Sequence, residues 1–130
     1  MHLNEERTIR NTIQNVLLKH NFKVTQDFEL SKGLYVDIVG LKDNEALVIE
    51  IKNSRFPLDQ SDLMQVASYV SAMKSLRDFS DKEIITFVVA PKGTIASATP
   101  YAQDLKINVI DSLKEQKIAK GLELCIKSEI

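Results

Sequence analysis

The sequence predicts an α/β protein, a single domain with a central mixed β-sheet flanked by helices. Two observations carry this prediction. Two segments of alternating apolar and polar residues, joined by a short polar connection, are typical of an antiparallel hairpin. Farther along, residues 84–90 form a nearly continuous apolar run rich in β-branched residues, which indicates a strand that is buried on both faces and covered by helices.

The first helix is predicted over residues 4–20. Four apolar residues recur there at helical spacing and form one stripe: Ile9, Ile13, Val16 and Leu17. Asn4 is expected to cap the helix, and Asn21 is expected to end it in a left-handed conformation. Arg10, Gln14 and Lys19 are expected to face away from the core.

The hairpin is predicted from residues 34–41 and 46–52, after a weaker strand at 22–30. In the second of these strands Glu50 and Lys52 lie two residues apart and therefore on the same face. Asp37 lies on the preceding strand. Because residues 42–45 connect the two strands, a small bend or offset would bring Asp37 beside Glu50.

The second half of the chain continues the pattern of strands and helices. Pro57 and Asp59 mark the start of a helix, with Asp59 as the expected cap and Asp62 three residues later. After strand 84–90, a short helix at 95–104 and a strand at 107–110 are predicted. The core is expected to span about residues 5–112, and residues 113–130 are expected to form a helical extension.

Composition narrows the function classes. No apolar run approaches the ~18 residues of a membrane span, and the polar N-terminus is unlike a secretory signal. The single Cys125 cannot form an internal disulfide, so a cytoplasmic location is expected. The formal net charge of −1 argues against tight, sequence-independent DNA binding by a monomer, unless charge is segregated on one face or a bound divalent cation adds to it.

Asp37, Glu50 and Lys52 are the candidate catalytic residues. A Glu-x-Lys tripeptide is common, and by itself it usually lies in solvent. Here an acid on the neighbouring strand would face Glu50, and two carboxylates held together repel each other unless a cation compensates. Carboxylate oxygens suit Mg²⁺, and a nearby lysine can stabilise charge that develops on a phosphodiester or help to deprotonate an attacking water.

The order of these residues resembles the PD-(D/E)XK nuclease superfamily, which has the restriction-endonuclease-like fold. Residues 35–39 resemble the segment that carries the family aspartate, although Val36 replaces its usual proline, and residues 48–52 resemble the (D/E)-x-K strand. The resemblance implies that Asp37 and Glu50 bind the metal, that the Ile51 carbonyl completes the metal site, and that Lys52 assists the water.

The same resemblance implies further site residues. Glu6, with Glu5 as the alternative, would be the first-helix acid that reaches the metal or its waters, as in archaeal Holliday-junction resolvases. Gln65 and Tyr69 resemble the Gln-x-x-x-Tyr element of RecB-type nucleases; Gln65 would orient near the metal and Tyr69 would approach DNA. Arg55, just past the catalytic strand, could contact phosphate. The second half of the chain resembles Mrr-type domains.

The resemblance implies an endonuclease that cuts DNA with Mg²⁺, or with Mn²⁺ as a substitute, and that acts as a homodimer or with an additional protein subunit that directs it. Two alternatives stay open. The chain could be a catalytically inactive module of the same fold that binds DNA or a protein partner, or an enzyme that acts on RNA.

Overall fold

The computed structural model describes residues 2–53, 57–93 and 98–127. These residues form four helices and five strands in the order α1 (His2–Lys19), β1 (Lys23–Ser31), β2 (Leu34–Lys42), β3 (Glu45–Ile51), α2 (Gln60–Lys74), β4 (Glu83–Ala90), α3 (Thr99–Asp104), β5 (Ile107–Asp111) and α4 (Glu115–Lys127). None of these helices is both long and apolar enough to cross a lipid bilayer.

The five strands form one mixed sheet in the order β1-β2-β3-β4-β5. β1, β2 and β3 pair antiparallel, whereas β3, β4 and β5 pair parallel. The turn between β2 and β3 is Asp43-Asn44, and Asp43 has a φ of 51°, which suits a tight hairpin turn. The predicted α/β fold with a mixed sheet is therefore confirmed.

Helices cover both faces of the sheet. α1 and α4 pack on one face, where Ile13 and Leu122 are fully buried against Ile49 and Phe87. α2 and α3 pack on the other face, where Leu63 contacts the cluster that contains Val88. Because β3 and β4 are covered on both sides, their side chains are buried on both faces, as the continuous apolar run of residues 84–90 predicts.

Local signals for the helix ends are partly confirmed. Asp59 caps α2: its side chain accepts a hydrogen bond from the Asp62 N–H, and the Asp62 side chain accepts one from the Asp59 N–H. Asn21 has the left-handed φ of 70° that was expected after α1. The expectation for Asn4 was wrong, because α1 already begins at His2 and Asn4 lies within its first turn. α3 begins at Thr99, and residues 94–97 lie outside the described part of the chain.

The C-terminal segment belongs to the core. Ile118 and Leu122 of α4 are fully buried with Ile9 and Leu17 of α1, so the packed core extends beyond the expected limit near residue 112. Lys19 and His20 at the end of α1 also lie 3.5 and 3.4 Å from the Glu123 carboxylate. α4 therefore closes the face of the sheet that α1 leaves uncovered.

Candidate active site

The candidate site lies where β2 and β3 separate. Their regular pairing extends to Ile38 and Ile49, and the next residues in register are Asp37 and Glu50. From Asp37 and Glu50 onward, side-chain carboxylates replace backbone carbonyls as the acceptors of hydrogen bonds between the two strands. The Asp37 N–H donates to Glu50 Oε1 at 3.0 Å, and the Ile51 N–H donates to Asp37 Oδ2 at 2.8 Å. Each carboxylate is thus held by the backbone of the opposite strand.

A bend in β2 makes this arrangement possible. In a regular strand Val36 and Ile38 would share a face, but Val36 packs in the cluster under α2 and Ile38 packs with α1. Asp37 lies between them, opposite Asp27 of β1, whose φ of 52° is left-handed. The bend that was invoked to bring Asp37 beside Glu50 is present, and it turns the Asp37 carboxylate into the gap between the strands.

Glu50 is the buried acid of the site. Its side chain lies on the α2 face of the sheet and the residue is 7% exposed. Burial raises the pKa of the Glu50 carboxyl from 4.5 to about 7, and the negative charge of Asp37 adds to the rise. The Asp37 N–H and the positive charge of Lys52 act in the opposite direction. A negative charge on Glu50 is therefore poorly compensated by the protein itself.

Asp37 has a cationic partner that the sequence interpretation missed. Arg10 of α1, which was expected to face away from the core, is partly buried and donates to Asp37 Oδ1 at 2.9 Å and to the Asp37 backbone oxygen at 3.2 Å. Its guanidinium also lies 3.3 Å from Asp27 Oδ1 and 3.6 Å from Glu6 Oε1. The signal available in the sequence was the Glu6–Arg10 pair at helical i,i+4 spacing.

Lys52 follows β3 directly and remains next to the acids. Its N–H donates to the Val89 carbonyl at 2.8 Å, which extends the β3–β4 pairing by one step and fixes the backbone of the Glu-x-Lys segment. The Lys52 ammonium is close enough to lower the pKa of Glu50. The structure thus brings together Asp37, Glu50, the Ile51 backbone and Lys52.

Tyr69 of α2 belongs to the same site. It is partly buried beside the cluster that contains Val36 and Met73. Burial raises the pKa of the Tyr69 hydroxyl, and the negative charges of Glu50 and Asp37 raise it further. The hydroxyl therefore stays protonated at neutral pH, available as a hydrogen-bond donor at the edge of the acid pair.

The remaining predicted residues differ in their placement. Glu6 contacts Arg10, and Glu5 lines a separate cleft at the ends of β4 and β5. Gln65 is exposed on α2, one turn before Tyr69. Arg55 lies outside the described residues.

Two carboxylates are available to hold a metal. Within residues 2–53, 57–93 and 98–127, no group of three acidic, histidine or cysteine side chains is arranged so that it could hold a metal ion. Asp37 and Glu50 nevertheless fit Mg²⁺, which is commonly held by one or two carboxylates while waters complete its shell. The poorly compensated charge of buried Glu50 is the structural feature that a divalent cation would offset.

Comparisons with known proteins agree with the fold. No family model matches this chain, and no curated protein matches it. A repair endonuclease from Pyrococcus abyssi superposes with a TM-score of 0.53 over 72% of this chain and 39% of its own, at 21% identity. A protein of unknown function, AF1548, superposes with a TM-score of 0.53 over 78% of this chain and 56% of its own, at 15% identity. This chain thus spans about half the length of either neighbour or less, and it shares the fold of the parts that superpose.

Proposed function

We propose that this chain is a Mg²⁺-dependent DNA endonuclease of the PD-(D/E)XK type. The observation that carries the proposal is the pair of acids Asp37 and Glu50. Each carboxylate accepts a hydrogen bond from the backbone of the other's strand, and Glu50 is buried. A carboxylate is costly to bury beside another carboxylate, because both desolvation and repulsion oppose its charge. A protein that keeps such a pair next to Lys52 is arranged to bind a divalent cation there.

Each residue of the site has a role in this proposal. Asp37 and Glu50 would hold Mg²⁺, the Ile51 carbonyl would supply a third oxygen, and Glu6 would act on the cation's waters. When bound, Mg²⁺, or Mn²⁺ in its place, activates a water and neutralises the phosphodiester. Lys52 would stabilise the negative charge that develops on the phosphate or, once it has lost its own proton, would accept a proton from the attacking water.

The flanking residues would position DNA. The Tyr69 hydroxyl would donate a hydrogen bond to a phosphate oxygen near the acid pair, Arg55 would contact phosphate, and Gln65 would orient near the metal. These assignments follow from the resemblance and from the charges that act on Tyr69.

A second surface with an excess of positive charge lies at the same edge of the sheet. A cleft of about 500 Å³ opens at the carboxyl ends of β4 and β5, where three exposed lysines, Lys92, Lys114 and Lys117, outnumber the two acids Glu5 and Asp111. We call this the lysine cleft. Since β3, β4 and β5 are parallel neighbours, the lysine cleft begins at β4, about 5 Å or one strand spacing from the end of β3, and extends to β5, about two spacings away. It offers a path for the substrate backbone despite the net charge of −1.

The test is a cleavage assay with duplex, single-stranded and four-way-junction DNA and with RNA, each in Mg²⁺, Mn²⁺ or EDTA. We expect metal-dependent cutting of DNA by the wild type, and its loss in Glu50→Gln and Asp37→Asn. Glu45→Gln is the matched control, because Glu45 lies at the other end of β3 and away from the acid pair. If only RNA is cut, the protein is instead an enzyme that acts on RNA.

If the protein cuts no DNA but binds it equally well with and without the metal, the inactive binding module would be favoured. Size-exclusion chromatography with light scattering, with and without DNA, would test the proposed homodimer. A monomer in both conditions would leave recognition to the single chain or to an additional subunit.

A further inference from the structure

Arg10 supplies a positive charge to Asp37, one of the two acids of the site. Its guanidinium makes a forked contact with Asp37, through one nitrogen to Oδ1 and through the other to the backbone oxygen. The side chain is 16% exposed and also approaches Asp27 and Glu6. One guanidinium therefore offsets part of the negative charge of the three acids that gather on the α1 side of the site.

This contact competes with a divalent cation. Asp37 Oδ2 accepts the Ile51 N–H, and Oδ1 accepts Arg10, so both carboxylate oxygens already have donors. A metal bound to Asp37 would share an oxygen with the guanidinium, and two positive centres within a few ångströms repel each other strongly in a partly buried site. Either the metal binds weakly or Arg10 moves away.

There is space into which Arg10 can turn. It lines a groove of about 400 Å³ between α1 and β1, together with the cation Arg7, the amides Asn11 and Gln26, and the acids Glu6 and Asp27. A guanidinium has five N–H donors in a planar fork, which match the oxygens of a phosphate as well as those of a carboxylate. A phosphate in this groove would therefore be an alternative partner for the same side chain.

We propose that Arg10 is a phosphate-binding switch that couples DNA binding to metal binding. Without DNA, it neutralises Asp37 and weakens the metal site. When DNA binds, a backbone phosphate in the groove between α1 and β1 takes over the guanidinium, and Asp37 is released to the metal. Metal and DNA then bind cooperatively, so that the site is completed on its substrate. This inference rests on the proposed function.

The test measures Mn²⁺ affinity, from the electron paramagnetic resonance signal of free Mn²⁺, with and without four-way-junction DNA. All proteins carry Lys52→Gln so that the DNA stays intact. We expect the junction to tighten Mn²⁺ binding on the order of tenfold in this parent, which is a typical strength of coupling between two sites. Arg10→Gln should bind Mn²⁺ more tightly than the parent without DNA, and it should lose the coupling.

Arg7→Gln is the matched control. It removes the same charge from the same groove, but Arg7 is exposed and Asp37 is held by Arg10. We expect it to retain the coupling. Arg10→Lys keeps a positive charge but loses the fork, so it should show Mn²⁺ affinity close to that of the parent without DNA and reduced coupling, even if Arg10→Gln folds poorly.

The outcomes separate the two proposals. The switch would be overturned by equal coupling in Arg10→Gln and Arg7→Gln, or by a parent whose Mn²⁺ affinity does not change when DNA is added. If the wild type still cuts DNA, the proposed nuclease function would stand. A wild type that cuts no DNA in any metal would overturn the proposed function, and the switch with it.

Discussion

Glu50 should make the metal-free protein less stable as the pH rises. The substitution that tests this is Glu50→Gln, which keeps an oxygen to accept the Asp37 N–H and removes the charge that burial disfavours. Because the folded-state pKa is raised, the folded protein holds a proton that the unfolded chain releases between pH 4.5 and about 7. In this window the free energy of unfolding of the wild type falls.

The magnitude follows from the two pKa values. The difference between 4.5 and about 7, at about 1.4 kcal/mol for each pH unit, corresponds to about 3 kcal/mol. The contribution of the protonated carboxyl is fully present below pH 4.5 and is lost as the pH rises through about 7. Glu50→Gln should therefore exceed the wild type in stability by about 1 kcal/mol at pH 5 and by about 3 kcal/mol at pH 8.

Urea denaturation in EDTA across this pH range measures the effect, with Glu45→Gln as the control on the same strand. The wild-type and Glu50→Gln curves of stability against pH should diverge above pH 5, whereas Glu45→Gln should follow the wild type. Parallel curves for the wild type and the Glu50→Gln variant would refute the assignment of an uncompensated buried charge. Added Mg²⁺ should narrow the gap by stabilising the wild type, if the cation binds at this carboxylate.

Three further predictions concern the same framework. Asp37→Asn should lower the pKa of Glu50, since it removes the neighbouring negative charge, but burial should keep that pKa above 4.5; carboxyl-carbon NMR titration measures it. Leu122→Ala should cost about 2–5 kcal/mol of stability in chemical denaturation because Leu122 is fully buried, whereas Leu124→Ala on the exposed side of α4 should cost little; equal effects would contradict the packing of α4. Changing all three lysines of the lysine cleft to glutamine should reduce the slope of log affinity for DNA against log salt by up to about 3, and an unchanged slope would exclude phosphate contacts there.

Local patterns in the sequence were enough to predict the secondary-structure elements and the acid pair of the site. Alternation in residues 34–41 and 46–52 predicted the hairpin, and the Asp59–Asp62 spacing predicted the cap of α2, because each depends on neighbours within a few residues. The placement of Asp37 beside Glu50 also followed from the hairpin, once a bend was allowed.

The tertiary structure decided the partners that come from distant parts of the chain. Arg10 faces the acids because α1 crosses the sheet next to β1 and β2, and a helical pattern shows which residues share a face but not what that face meets. For the same reason the sequence predicts α4 only as an extension. Its apolar residues become part of the core because α1 and the sheet provide a surface against which they pack. The raised pKa of Glu50 likewise depends on burial, which exists only after β3 is covered on both sides.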